Sequence, residues 1–337
     1  MQPTLNHIAI IQTAFLGDAA LALWLAEEIR THYPGSHITF VCTPAAAQLV
    51  ECAASVNTVI RFDKRGTDKG LAGIRRIASV LKESNAECVV GLQRSARTSV
   101  VARLSGAAVR AGFSNAALSM LYTTTCEWKT GVHEVERNSV LWAAVSGSVS
   151  AIPESVSLRM PPLPEEVRRA VVPHSTVVLA PGSVWATKRW LESSWIEAAR
   201  LLRKQGWNVL LIGGREDSDL CSRIADSSGA ISVAGMTSLP ETLTLLQESS
   251  LLITNDSAPT HLAGLAGCRT LTLYGSTLPS FGFAPRGKHD GVLETHGLEC
   301  RPCGLHGRNE CPTGTFDCMT RITPDMVVSS AGQHIAY

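Results

Sequence analysis

The chain has 337 residues, 45% hydrophobic and 18% charged, which is globular and excludes wholesale disorder. Its 30 Lys and Arg against 29 Asp and Glu leave a formal charge of +1, so the composition makes no case for wrapping nucleic acid. No apolar run approaches the roughly 20 residues that span a bilayer. The first residues, MQPTLNHIAIIQT, lack the basic start of a signal peptide, so a cytoplasmic protein with mostly reduced cysteines is expected.

Short β-branched runs alternate with amphipathic segments, the pattern of parallel sheets covered by helices. In the first half it predicts strands over 7–13, 37–42, 59–63 and 88–93, with helices over 18–32, 71–82 and 95–104. Residues 114–160 look looser, with one helix over 136–145. The segment MPPLP at 160–164 cannot continue a helix or a central strand, and the linker is expected at about 155–173. The alternation then restarts. Strands are predicted over 176–180, 208–213, 231–234, 251–255 and 269–274, and helices over 192–205, 217–226, 239–248 and 259–266. An α/β fold follows, with two Rossmann-like domains, 1–160 and 174–337, facing across a cleft. Ligands are expected beyond the carboxyl ends of the strands.

Three strand-end turns hold candidate chemistry. In TAFLGD (13–18), Asp18 is either a helix cap or a general base aimed into the cleft. One Gly there, where a pyrophosphate fingerprint needs three, argues against a dinucleotide site. In APGSVWATKRW (180–190), Ser183 and Thr187 offer hydroxyls and Lys188 a charge suited to phosphate, unless the loop is simply solvated. In LLITNDSAPTH (251–261), the helix start at Ser257 and Ala258 makes an anion site, and Asp256 can bond a sugar hydroxyl. His261 either reaches a phosphate or packs. Glu216 and Asp217 either bind ribose hydroxyls or cap a helix, and Met236 and Thr237 border a possible base site.

Cys300, Cys303, Cys311 and Cys318 have the form C-x2-C-x7-C-x6-C. The first pair has the spacing of a zinc knuckle and the second does not, with His306 as a substitute ligand. A structural zinc, reduced core cysteines and disulfides all remain open.

At these residues the chain resembles the ADP-heptose:lipopolysaccharide heptosyltransferases, glycosyltransferase family 9. The resemblance covers essentially the whole chain. It rests on FLGD, APGSVWATKRW, TNDSAPTHLAGLAG, YGSTLP and the tail CRPCGLHGRNECPTGTFDCMTRITPDMV, with GLQRSARTS and HEVERN as further landmarks. The tail leans towards the enzymes that add the second heptose. The resemblance implies a GT-B fold and an inverting transfer that needs no metal for catalysis. ADP-heptose would be held mainly by the second domain. Asp18 would deprotonate the acceptor hydroxyl, and Lys188 would contact the diphosphate. Ser183, Ser257 and Ala258 would complete the phosphate cradle, with Asp256 and His261 lining the donor pocket. The family usually has Gly where this chain has Ala258, whose methyl is tolerated at negative φ but crowds an approaching phosphate.

The implied acceptor is an anionic, lipid-linked inner-core oligosaccharide. Arg61, Lys64, Arg65, Lys69, Arg94 and Arg97 give the first domain a local basic supply despite the neutral total. Arg94 and Arg97 follow a strand end and are the candidates for acceptor binding. The same charges suit peripheral contact with the inner face of the cytoplasmic membrane. A relative using another nucleotide sugar or acceptor, or a non-catalytic binder of nucleotide or saccharide, fits the same scaffold.

Overall fold

His7–Ile11 (β1, HIAII) is buried along its whole length, as the central strand of a parallel sheet with both faces covered must be. The computed structural model describes residues 5–335. After β1 come α1 (Leu16–His32), β2 (His37–Cys42), α2 (Pro44–Cys52), β3 (Thr58–Arg61), α3 (Gly70–Glu83) and β4 (Cys88–Gly91). Next are α4 (Ala96–Leu104), β5 (Val109–Phe113), β6 (Thr124–Cys126) and α5 (Glu134–Ser146). The six strands pair parallel in the order β3-β2-β1-β4-β5-β6, with Ile8 set beside Ile38 on one side and Cys88 on the other. Helix α3 buries Ile74, Ile77, Ala78 and Leu81, the three- and four-residue spacing of one helical face. Helix α1 is buried nearly all round because it lies between the sheet, α2 and α5.

The chain divides into two compact units after Arg159. Leu158 bridges to Ala53, and the Arg159 N–H donates to the Cys52 carbonyl at 2.8 Å, which ties this end to the first unit. The second unit begins with α6 (Glu165–Ala170), β7 (Thr176–Ala180), α7 (Glu192–Lys204), β8 (Asn208–Leu211), α8 (Ser218–Ser228) and β9 (Ile231–Ser232). It continues with α9 (Leu239–Gln247), β10 (Leu251–Asn255), α10 (Ala258–Ala266), β11 (Thr270–Tyr274), β12 (Gly291–Glu294), α11 (Asp317–Thr320) and α12 (Pro324–Ile335). Its parallel sheet runs β12-β11-β10-β7-β8-β9. Its core sets Val177, Leu179, Leu251 and Ile253 against Trp195, Leu202, Met319 and Val327. The Trp190 and Trp195 rings meet edge to face at 5.0 Å.

Numbered from its own first strand, each sheet has the order 3-2-1-4-5-6, the doubly wound Rossmann order. The winding reverses between β1 and β4 in one unit and between β7 and β10 in the other. Loops leaving those strands diverge and open a crevice at the carboxyl edge. FLGD and QRSAR leave β1 and β4; APGSVWATK and DSAPTH leave β7 and β10.

Candidate active site

In the first unit, Thr13 stitches the ends of β1 and β4 together. Its hydroxyl donates to Gln93 Oε1 at 2.6 Å and its N–H points to the same oxygen at 3.3 Å. The chain stays extended through Phe15, the N-cap of α1, and turns helical at Leu16. Asp18 is therefore the third helical residue, not the first. Its Oδ2 accepts from the Phe15 N–H at 3.1 Å, which satisfies an orphan donor of the helix end. Burial pushes this carboxyl up to about 6, and the negative charge of Glu134 adds to the rise. The N–H groups of Phe15 and Asp18 and the charge of Lys64 pull the other way without cancelling it. A carboxylate in that range is ionised at neutral pH and more basic than an ordinary one.

Cations surround this turn. Lys64 donates to the Thr13 carbonyl, and burial with the neighbouring Arg97 and Arg65 charges lowers its pKa. Arg97 lies in the first turn of α4, half-buried. Arg94 is exposed just beyond β4, its guanidinium 4.2 Å from the centroid of the Trp128 ring.

In the second unit, Lys188 Nζ donates to Asp256 Oδ2 at 2.6 Å, and both side chains are almost wholly buried. The Thr277 hydroxyl donates to the same oxygen at 2.5 Å. One backbone frame holds the pair in place: Asn255 Oδ1 accepts from the Trp190 N–H at 3.0 Å, and Asn255 Nδ2 donates to the Pro181 carbonyl at 2.8 Å. The loops after β7 and β10 are thus locked to each other. Helix α10 starts beside them at Ala258, with extended Ser257 as N-cap and no side-chain cap, and with Pro259 in its first turn. Ala258 has negative φ, so its methyl causes no backbone strain. His261 is buried one turn in, its ring 6.4 Å from that of Phe283.

Other candidate residues carry local structural duties. The Thr187 hydroxyl is buried, 3.0 Å from Ser276 Oγ and the Arg308 carbonyl, and it accepts from the Arg308 N–H at 2.7 Å. Ser183 is half-buried, and its carbonyl accepts from Arg189 Nε at 2.7 Å. Asp217 accepts from the Gly214 N–H at 3.1 Å, the capping alternative, and burial raises its pKa. Gly182 makes room for this carboxylate, since a Cβ there would lie 2.4 Å from Asp217 Oδ1. Glu216 is exposed. Met236 and Thr237 follow β9, and Thr237 Oγ1 sits 2.9 Å from Thr242 Oγ1.

The tail cysteines show no zinc site among the described residues. All four thiols are free, which also sets aside the disulfide alternative. Among the described residues no three His, Cys, Asp or Glu side chains group so as to hold a metal ion. Cys318 packs into the core of the second unit beside Met319, and burial pushes its thiol up to about 11. Cys311 instead lies 3.4 Å from Thr313 Oγ1. The four nevertheless stay neighbours: Cys303 Sγ lies 3.3 Å from the Cys300 carbonyl, Cys300 and Cys311 add to the raised pKa of Cys303, and all three add to that of Cys318.

The tail has a different task, which its motif spacing hid. Gly307, at φ +86, lies against Lys188: a Cβ would come within 3.1 Å of Thr187 Oγ1 and 3.3 Å of Lys188 Cγ. The side chain of Arg301 is buried and donates to the carbonyls of Gly275, Thr277 and Thr295 at 2.6, 2.6 and 2.9 Å, with Glu294 Oε2 at 2.6 Å. The tail thus braces the loops that hold Lys188 and Thr277.

A model of glycosyltransferase family 9 (heptosyltransferase) matches residues 74–311. The chain belongs to that family. This family 9 glycosyltransferase is 26% identical to lipopolysaccharide heptosyltransferase 1 of Pseudomonas aeruginosa, over 96% of each chain. Its fold is similar to that of a family 9 glycosyltransferase from Veillonella parvula, with TM-score 0.83, 21% identity and 99% of each chain covered. It is also similar to the ADP-heptose LPS heptosyltransferase II of Escherichia coli, with TM-score 0.77, 20% identity and 98% of each chain covered. The fold is GT-B, built from two Rossmann-like units. Since similar proteins include a heptosyltransferase 1 and a heptosyltransferase II, membership of family 9 does not select one acceptor position. No helix among the described residues is long and apolar enough to cross a membrane.

Proposed function

We propose that this glycosyltransferase moves heptose from ADP-heptose to the inner core of lipopolysaccharide, inverting the anomeric centre. The second unit takes the donor and the first takes the acceptor. The observation that carries this reading is the buried Lys188 ammonium at the strand-order reversal of the second sheet, beside the uncapped first turn of α10. An ammonium and exposed N–H groups together form a site for a nucleoside diphosphate.

Transfer forms a bond from the acceptor oxygen to the anomeric carbon and breaks the bond from that carbon to the diphosphate oxygen. The acceptor proton passes to the Asp18 carboxylate, whose raised proton affinity suits it to that step. Negative charge grows on the departing ADP, and Lys188 with the first N–H groups of α10 stabilises it. Asp256 and Thr277 hold the ammonium in position before the donor arrives. Ser183, Ser257, Ala258 and His261 border the same end of the sheet.

Arg94 and Arg97, with Lys64 and Arg65 nearby, supply the charge for an anionic, lipid-linked acceptor, and the same charges would hold the enzyme at an anionic membrane face. A screen of ADP-, UDP- and GDP-linked sugars tests the donor by thermal shift and product mass. ADP-heptose is expected to stabilise the protein and to give a heptosylated acceptor. Stabilisation by UDP- or GDP-sugars alone would overturn the donor assignment.

A further inference from the structure

The HEVERN segment at 133–138 has no part in the scheme above, yet the structure buries its Glu134, Val135, Arg137 and Asn138 at the start of α5. His133 caps the helix, its Nδ1 accepting from the Val135 N–H at 3.2 Å. Glu134 and Arg137 are 5% and 2% exposed, among the deepest charges of the first unit. Glu134 Oε2 accepts from Arg137 Nε at 2.8 Å and lies 2.7 Å from Nη2. Arg137 Nη1 also donates to the Lys129 carbonyl at 3.2 Å. Its guanidinium lies 4.3 Å from the centroid of Trp128, the ring that also carries Arg94 at 4.2 Å. A buried ion pair seldom stabilises a fold more than apolar side chains of the same volume would. Stability alone therefore does not account for it.

Its location suggests a purpose. Helix α5 packs on α1, the helix that carries Asp18. From Thr13 a continuous set of contacts leads through Gln93 to its neighbour Arg94, then through Trp128 to Arg137 and Glu134. We propose that the Glu134–Arg137 pair, braced on Trp128 where α5 packs on α1, is a positioning device for the base, in which Arg137 keeps a negative charge on Glu134 within reach of Asp18. This rests on the assignment of Asp18 as the base. Glu134 faces Asp18 from α5 and Lys64 faces it from the loop after β3, while the N–H groups of Phe15 and Asp18 come from α1 itself. Arg97 and Arg65 crowd Lys64. Burial raises the pKa of Glu134 itself, and the charge and hydrogen bond of Arg137, with the charge of Arg94, work against that rise and favour its ionised form. Of the charged groups acting on Asp18, Glu134 alone favours the protonated form. Removing its charge must therefore weaken the base.

Glu134→Gln keeps an oxygen for Arg137 and deletes the charge. The acid limb of the kcat/KM profile is expected to move to lower pH by about half a unit or more. The plateau kcat should fall roughly three- to tenfold, as a weaker base requires, with donor KM unchanged. A merely structural role would lower the active fraction and leave the limb in place. Carbon-13 NMR titration of the Asp18 carboxyl in the unliganded protein should move in the same direction. Should Glu134→Gln fail to fold, the double variant Glu134→Gln/Arg137→Met removes the charge without stranding the guanidinium, and the same shift is expected. An unmoved limb and an unmoved titration in a folded variant would overturn the proposal. The titration needs neither substrate, so absent heptosyl transfer would break the functional reading without touching this coupling.

Discussion

The loops after β1 and β7 occupy equivalent places in sheets of the same strand order, yet one presents a carboxylate and the other an ammonium. The two charges are also compensated differently. Asp18 is half-buried and feels a second carboxylate, and desolvation with that charge raises its proton affinity to about 6. Lys188 is buried against Asp256, and the pair is further held by Thr277. A base must be left partly uncompensated to be basic, at a cost in stability. A phosphate-binding cation has only to remain charged and in place, so a carboxylate can hold it there. One topology supports both because the loops, not the strands, set the chemistry.

The comparison breaks most sharply at Asp18. Asp18→Asn keeps the bond from the Phe15 N–H but cannot take a proton, so kcat should fall by roughly 10²–10⁴. ADP-heptose affinity, measured calorimetrically, should stay unchanged, and a normal rate would remove Asp18 from its role. Lys188→Met comes next: loss of leaving-group stabilisation should cost roughly 10²–10³ in kcat. It should also lower the melting temperature, because Asp256 is left without its cation. Acceptor KM should not change, and a variant with normal turnover would detach Lys188 from the diphosphate.

The smallest effect sharpens the contrast by reading stability. The folded value of Asp18, about 6, lies above its ordinary 3.8, so the native state binds this proton more tightly than the unfolded chain does. The stability tied to the protonated form is present below about pH 4 and is lost as pH rises through about 6. Asp18→Asn should therefore be more stable than the parent at pH 8, by up to about 3 kcal/mol, and no different at low pH. Denaturant melts at the two pH values check it. An Asn variant destabilised at pH 8 would mean the carboxylate is compensated after all.

The strands beside the strand-order reversals are legible in the sequence because they are continuous apolar runs bounded by turn residues. The windows 176–180 and 251–255 coincide with β7 and β10. Less regular segments escape the pattern. Strand β6 (TTC) lies in the stretch 114–160 that looks looser, strands β5 (VRAGF) and β12 lie where no element is predicted, and α12 lies in a tail read for its cysteines. The helix predicted over 136–145 starts two residues earlier, at Glu134, because the buried charge that opens it does not look like core.

At the site, sequence locates each turn but not the partners within it. Lys188 and Asp256 lie 68 positions apart, and no local spacing records their contact. In the tail, C-x2-C draws attention to the cysteines, and no spacing signals that Gly307 and Arg301 of the same segment brace the loops around Lys188. Spacing also does not record that Cys318 is buried in the core of the second unit while the charges of Cys300, Cys303 and Cys311 still reach it.

The most direct test of the account is the pH dependence of kcat/KM for heptosyl transfer under conditions where chemistry limits the rate. A single ionisation near 6 should govern the acid limb and vanish in Asp18→Asn, whose residual rate should be flat through that range. An acid limb at the ordinary carboxylate value, or one that persists unchanged in Asp18→Asn, would contradict the claim that burial and a neighbouring charge make Asp18 the base.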